Sequence, residues 1–127
     1  MDVSAEALLF FDSRPGAVAL YAAFDEKVRQ CADVRRVQVK KTQISYFSRY
    51  MFACVSLLPV GKAKDRPRDY ITVTFGLDRR LTSPRIVAAC EPYPNRWTHH
   101  VLIASMEDMD EEFWGWIREA AVFAMRK

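Results

Sequence analysis

The sequence predicts an α+β fold, with an antiparallel sheet of four to five strands packed against N-terminal and C-terminal helices. Three observations predict it. Long apolar stripes at helical spacing fall near the two ends of the chain. The middle consists of short runs with period-two alternation. Strands and helices do not alternate in the manner of a parallel sheet. At 127 residues, half of them hydrophobic, the chain is the size of one domain, residues 1–127, with a core of its own.

Each element has its own local reason. Ser4 stands where it can cap a short helix through residue 11, with Glu6 near the positive end. Ser13 and Pro15 open a second helix, because proline loses nothing in a first turn. Ala17, Leu20, Phe24, Val28 and Cys31 then form one stripe at spacings of three and four.

Residues 34–58 are the longest β-like stretch. Val37 and Val39 share one parity, while Ile44 and Tyr46 share the other. A strand cannot change parity without turning over, so a bulge or tight turn is expected near residues 40–43. Ser48, Arg49 and Tyr50 form a hairpin tip, and residues 51–58 read as a strand buried on both faces. Residues 60–69 carry Gly, Pro and charge without period and read as a loop.

Residues 70–75 alternate, with Ile71, Val73 and Phe75 inward, and Gly76 closes that strand. Ser83 and Pro84 suggest a short helix to Cys90, and residues 91–96 are stiffened by two prolines into an irregular link. Residues 97–103 read as the last strand, with Trp97, His99, Val101 and Ile103 on one face and Thr98, His100 and Leu102 on the other. Ser105 and Asp108 fit a capping pattern for the final helix. Its stripe is Met109, Phe113, Ile117, Ala120 and Ala124, with Arg118, Arg126 and Lys127 toward its negative end.

Charge is unevenly spread. The net charge is +3, but residues 34–64 hold seven bases and no acid, between two acidic ends. Such a field bears on partners and not on fold. No run of 18 apolar residues exists, which argues against a membrane-spanning helix. Asp2 and Glu6 stand where an export signal needs positive charge, so a cytoplasmic location is expected. Cys31, Cys54 and Cys90 are widely spaced and odd in number, which fits three buried thiols in a reducing compartment.

The run Val39-Lys40-Lys41-Thr42-Gln43-Ile44-Ser45, the pair Phe52-Ala53, the run Trp97-Thr98-His99-His100-Val101 and the tail Trp116-Ile117-Arg118-Glu119-Ala120-Ala121 together resemble a bacterial family known as domain of unknown function 5655. The resemblance covers nearly the whole chain. It implies a small α+β domain, distantly similar to YdhG-like proteins, found alone or joined to other modules, some labelled nuclease-like or transport-related. It implies no activity and no catalytic residue.

Two groups are candidate sites. Lys40 and Lys41, with Arg35, Arg36 and Arg49, could bind phosphate or carboxylate, and Tyr46, Phe47 and Tyr50 could add stacking surface. The same cations also suit a solvated edge that repels other strands. If Lys41 keeps the inward parity of Val37 and Val39, a cleft would have to receive it. His100 could join Arg96, Trp97 and Tyr93 in a polar pocket, whereas His99 shares the parity of core residues. Adjacent strand histidines face opposite ways and cannot chelate one metal together, so no metal or cofactor is expected. No nucleophile elbow, phosphate loop, dinucleotide fingerprint or paired C-x-x-C occurs.

The expected function is that of a binding module using Lys40, Lys41, Arg49, Arg96, Trp97 and His100 for an anionic small molecule or nucleic acid. Two alternatives remain beside it. One is a small enzyme whose pocket holds His100, Arg96 and Lys41. The other is a homodimeric interaction protein built on an exposed Trp114 or an edge strand.

Overall fold

The first helix begins where Ser4 Oγ accepts the Ala7 N–H at 3.1 Å. The computed structural model describes residues 3–126, and the expectations attached to Asp2 and Lys127 lie outside them. Among the described residues the elements run α1 (Ala5–Phe10), α2 (Val18–Cys31), β1 (Arg36–Val39), β2 (Ile44–Phe47), β3 (Met51–Ser56), β4 (Ile71–Leu77), β5 (Ile86–Tyr93), β6 (Arg96–Ile103) and α3 (Glu111–Ala124). The strands form one antiparallel sheet in the order β1-β2-β3-β4-β6-β5. The α+β reading therefore holds, with a sixth strand added.

That sixth strand corrects the helix expected up to Cys90. Ser83 and Pro84 do open a turn, in which the Ile86 N–H reaches the Ser83 carbonyl and the Arg85 N–H reaches Ser83 Oγ. Beyond it the run Ile86-Val87-Ala88-Ala89-Cys90 has no helical stripe of its own, and pairing with β6 decides its state. The proline-rich link becomes a hairpin. Pro94 precedes Asn95, whose φ of 62° is the left-handed conformation a type II turn needs at that position. The Asn95 N–H is held by Glu91 Oε2 at 3.0 Å.

The parity switch falls where the sequence requires it. The Lys40 N–H bonds the Gln43 carbonyl at 2.9 Å, closing a tight turn between β1 and β2. A second irregularity follows at Tyr46 and Phe47, where β2 and β3 slip register. The switch leaves Val37, Val39, Ile44 and Tyr46 all on one face.

That face is the core. Tyr46 on the sheet meets Phe24 of α2, Phe75 stacks on its sheet neighbour His99 and on Trp116 of α3, and Phe24 in turn stacks on Trp114. Trp114 and Trp116 are both buried, so neither is the exposed tryptophan that a dimer interface would need. Asp110 caps α3 by accepting the Phe113 N–H at 3.0 Å, while Ser105 and Asp108 cap a 3-10 turn just before it. Arg85 ties the start of β5 to this corner by donating to Asp110 and Glu112 and to the Asp108 carbonyl. Cys31 is half-buried and Cys54 buried, but Cys90 is exposed on the edge strand, so the expectation of three buried thiols holds for the first two only.

Candidate functional site

Strand alternation sends every second side chain to the face away from the helices. Register aligns one row of these across the whole sheet: Gln38 opposite Ser45, Ser45 opposite Cys54, Cys54 opposite Thr74, Thr74 opposite His100, and His100 opposite Ala88. From Ser45 to His100 the row spans three strand intervals, about 14 Å. It is joined by hydrogen bonds. Thr74 Oγ1 lies 2.8 Å from His100 Nδ1, and Gln43 Nε2 donates to Ser45 Oγ at 2.8 Å. The Cys54 thiol reaches Gln43 Oε1 at 3.8 Å. At one end of this face Thr72 donates to the Leu58 carbonyl at 2.8 Å, which folds the β3–β4 loop against it.

The protonation states suit binding more than nucleophilic chemistry. Burial pushes the Cys54 thiol up, partly offset by Thr74, so at neutral pH it is a thiol and not a thiolate. Burial lowers His100, which keeps its imidazole neutral. The row is a line of uncharged donors and acceptors. Among the described residues no group of three or more His, Cys, Asp or Glu is arranged to hold a metal ion.

The six residues singled out from the sequence are dispersed over this sheet. His100 is the last polar member of the row on the β5 side, half-buried. Arg49 stands in the β2–β3 turn with its guanidinium 5.4 Å from the Tyr50 ring, and Arg96 starts β6, so both mark one end of the sheet. Trp97 has core parity and is half-buried under Arg80, at 5.7 Å. Lys40 and Lys41 occupy the β1–β2 turn at the opposite end. Lys41 is exposed rather than drawn inward, because the strand ends at Val39, and it lines a cleft with Glu6, Leu9 and Phe10. Arg96 lines a different one with Asp78, Phe123 and Arg126. Lys41, Arg96 and His100 thus do not share a pocket.

His99 sits in the core, as its parity implied. Its Nε2 accepts the Leu81 N–H at 3.0 Å, and its ring stacks on Phe75. Nδ1 is buried without a well-formed hydrogen bond. Burial lowers the basicity of this ring, partly offset by the Phe75 backbone.

Charge is sorted by layer. Carboxylates on and beside α3 are matched by arginines: Asp110 and Glu112 by Arg85, Glu119 by Arg79, and Glu111 by Arg118. The six strands hold one carboxylate, Glu91, and the β5–β6 hairpin uses it. Lys40, Lys41, Arg49, Lys62, Lys64 and Arg96 form no ion pair among the described residues.

A second feature escaped the sequence reading. A cleft of about 580 Å³ opens between the start of α1, the inner turns of α2 and the outer edge of β1. At its base the Tyr46 hydroxyl lies 2.8 Å from Asp25 Oδ1 and 2.9 Å from the Tyr21 hydroxyl. Tyr46 has one proton, so bonding the carboxylate leaves Tyr21 to donate to it. Asp25 is also held by Arg29 at 3.1 Å. Burial, with Tyr21 and Asp25 adding to it, raises Tyr46 far above the ordinary tyrosine range. The Asp25–Arg29 spacing was readable as an ordinary helix pair. That it receives a hydroxyl from a strand 21 residues later had no local signal.

Taken together, these features define a class: a single antiparallel sheet covered by helices on one face, with a polar, acid-poor face opposite. The chain belongs to the family described as Domain of unknown function (DUF5655), which matches residues 9–123. No curated protein and no solved structure matches it.

Proposed function

We propose that this chain is a binding module that receives a phosphate-bearing ligand across the sheet face opposite the helices. The observation that carries the reading is the separation of charge. The α3 carboxylates are matched by arginines, while the ends of the open face hold Lys40, Lys41, Lys62 and Lys64 on one side and Arg49 and Arg96 on the other. None of these six cations forms an ion pair among the described residues, so their charge stays available to a ligand. Between them half-buried Thr74 and His100 supply neutral hydrogen-bonding groups that carry no repelling charge, while Ser45 and Cys54 of the same row are buried against Gln43. A reducing, cytoplasmic setting fits the free thiols.

The test uses a labelled single-stranded oligonucleotide and, separately, inorganic pyrophosphate, titrated from low to physiological salt. Oligonucleotide affinity should fall steeply and linearly on a log–log plot. Arg49→Ala and Arg96→Ala should each weaken it and reduce the slope by about one. Pyrophosphate binding alone would mark a small phosphorylated ligand. No binding of either probe at low salt, or binding that salt does not change, would refute the reading.

A further inference from the structure

We propose that the outer edge of β1 is a docking groove for an acidic, extended peptide, taken up as a seventh strand between β1 and α1. This site does not rest on the reading above, although Lys40 and Lys41 stand at the margin of both. It starts from the ladder. The Lys40–Gln43 bond sets the alternation of paired and unpaired residues, so Gln38 bonds β2 while Val37 and Val39 turn their N–H and C=O groups outward. Among the described residues nothing bonds those outward groups.

The two edges of the sheet differ in how they are protected. The β5 edge carries Pro92 and two register shifts, at Ile86–Ala88 and Cys90–Tyr93, devices that block pairing with another strand. β1 has no proline and no shift in register. Alongside it run two cavities, of about 580 and 380 Å³, that share Glu6 and Val39 and so follow residues 35–41 from end to end. The larger falls within the usual size of a ligand cleft. Strand addition beside a helix is an established way to hold an extended peptide, with main-chain bonds giving affinity and side pockets giving selectivity.

Charge identifies the occupant. Arg29, Arg35 and Arg36 line one end of the trough, and Lys40 and Lys41 line the other. Of the carboxylates nearby, Asp25 is engaged by Arg29 and Asp33 by Arg35, which leaves Glu6 against Arg36, Lys40 and Lys41. A second copy of this chain is a poor partner. Antiparallel pairing of β1 with itself would set Arg35 and Arg36 against the other copy's Lys40 and Lys41, and like charges directly opposite are destabilising. Leu9, 74% exposed, and half-buried Phe10 line the lysine end and would receive an apolar residue. The occupant is therefore an acidic strand with an apolar side chain near one end.

The experiment measures anisotropy of a labelled seven-residue peptide of alternating Glu and Val. It should bind the intact chain, and the matching Lys and Val peptide should bind at least tenfold more weakly. Methylating alternate peptide nitrogens should cost at least tenfold, since it removes the main-chain donors. Val37→Pro removes an outward N–H while sparing the β1–β2 ladder, and should cost a similar factor with oligonucleotide binding unchanged. If Val37→Pro fails to fold, the exposed Lys41→Glu variant should weaken the peptide in its place. Equal binding of the lysine peptide, or undiminished binding of the methylated one, would each overturn the proposal.

Discussion

Replacing Tyr46 with phenylalanine isolates the chain of hydroxyls and carboxylate that ties α2 to the sheet. Tyr46 is fully buried, and its ring meets Phe24 edge-on at 5.4 Å, a contact phenylalanine retains. What disappears is the bond to the Asp25 carboxylate at 2.8 Å and the acceptor for Tyr21 at 2.9 Å. A hydrogen bond to a charged group contributes about 1.5–3 kcal/mol and a neutral one about 1 kcal/mol. Asp25 keeps Arg29, so it is not stranded. The expected loss is about 2.5–4 kcal/mol, read from urea denaturation as a lower midpoint at unchanged slope. Tyr21→Phe, which removes only the neutral bond, should cost about 1 kcal/mol. Combining Tyr46→Phe with Asp25→Asn should show a coupling of about 1–2 kcal/mol. A loss below about 0.5 kcal/mol for Tyr46→Phe, within the range of ordinary surface changes, would mean that water replaces the hydroxyl and that the chain does not hold the layers together.

Two further outcomes test the packing and the buried histidines. A Cβ on exposed Gly16 would stand 2.5 Å from the Asp69 carboxylate, the far end of a side chain that can swing aside, so Gly16→Ala should cost no more than about 0.5 kcal/mol; thermal melts of Gly16→Ala with and without Asp69→Ala decide it. His99 and His100 are both less basic in the folded chain than when unfolded, and burial is the main cause for each. The unfolded chain therefore binds more protons as pH drops, so their contribution leaves stability level above 6.5 and lowers it as pH falls through 6.5, by up to about 1.4 kcal/mol per pH unit for each ring. His99→Gln, which keeps an acceptor for the Leu81 N–H, should make the decline between pH 6.5 and 5 shallower, and identical slopes in denaturation at pH 8, 6.5 and 5 would rule this out.

Local signals carried a large part of the fold. The stripes of α2 and α3 lie within one element each, and the period of 3.6 marks them without reference to anything else. The alternation of Ile71, Val73 and Phe75 works the same way for β4, which runs on through Gly76 to Leu77 because Gly76 and Leu77 still pair with Thr98 and Trp97. The turn at residues 40–43 was legible because a parity change cannot be absorbed by a straight strand. Residues 86–90 were not legible in this way. Ile-Val-Ala-Ala-Cys is compatible with helix or strand, and the bonds to β6 that settle it come from residues 8 to 15 positions further on.

The candidate sites divide along the same line. From sequence alone came the basic middle, the opposite faces of His99 and His100, and the absence of a recognisable catalytic motif, since each depends on neighbours in the chain. Only the tertiary structure separated Lys41, Arg96 and His100, aligned Ser45, Cys54, Thr74 and His100 into one row, and brought Tyr46 to Asp25. Strand order and register decide those meetings. They follow from hydrogen bonds and burial shared between distant segments, and no window of the sequence contains both partners.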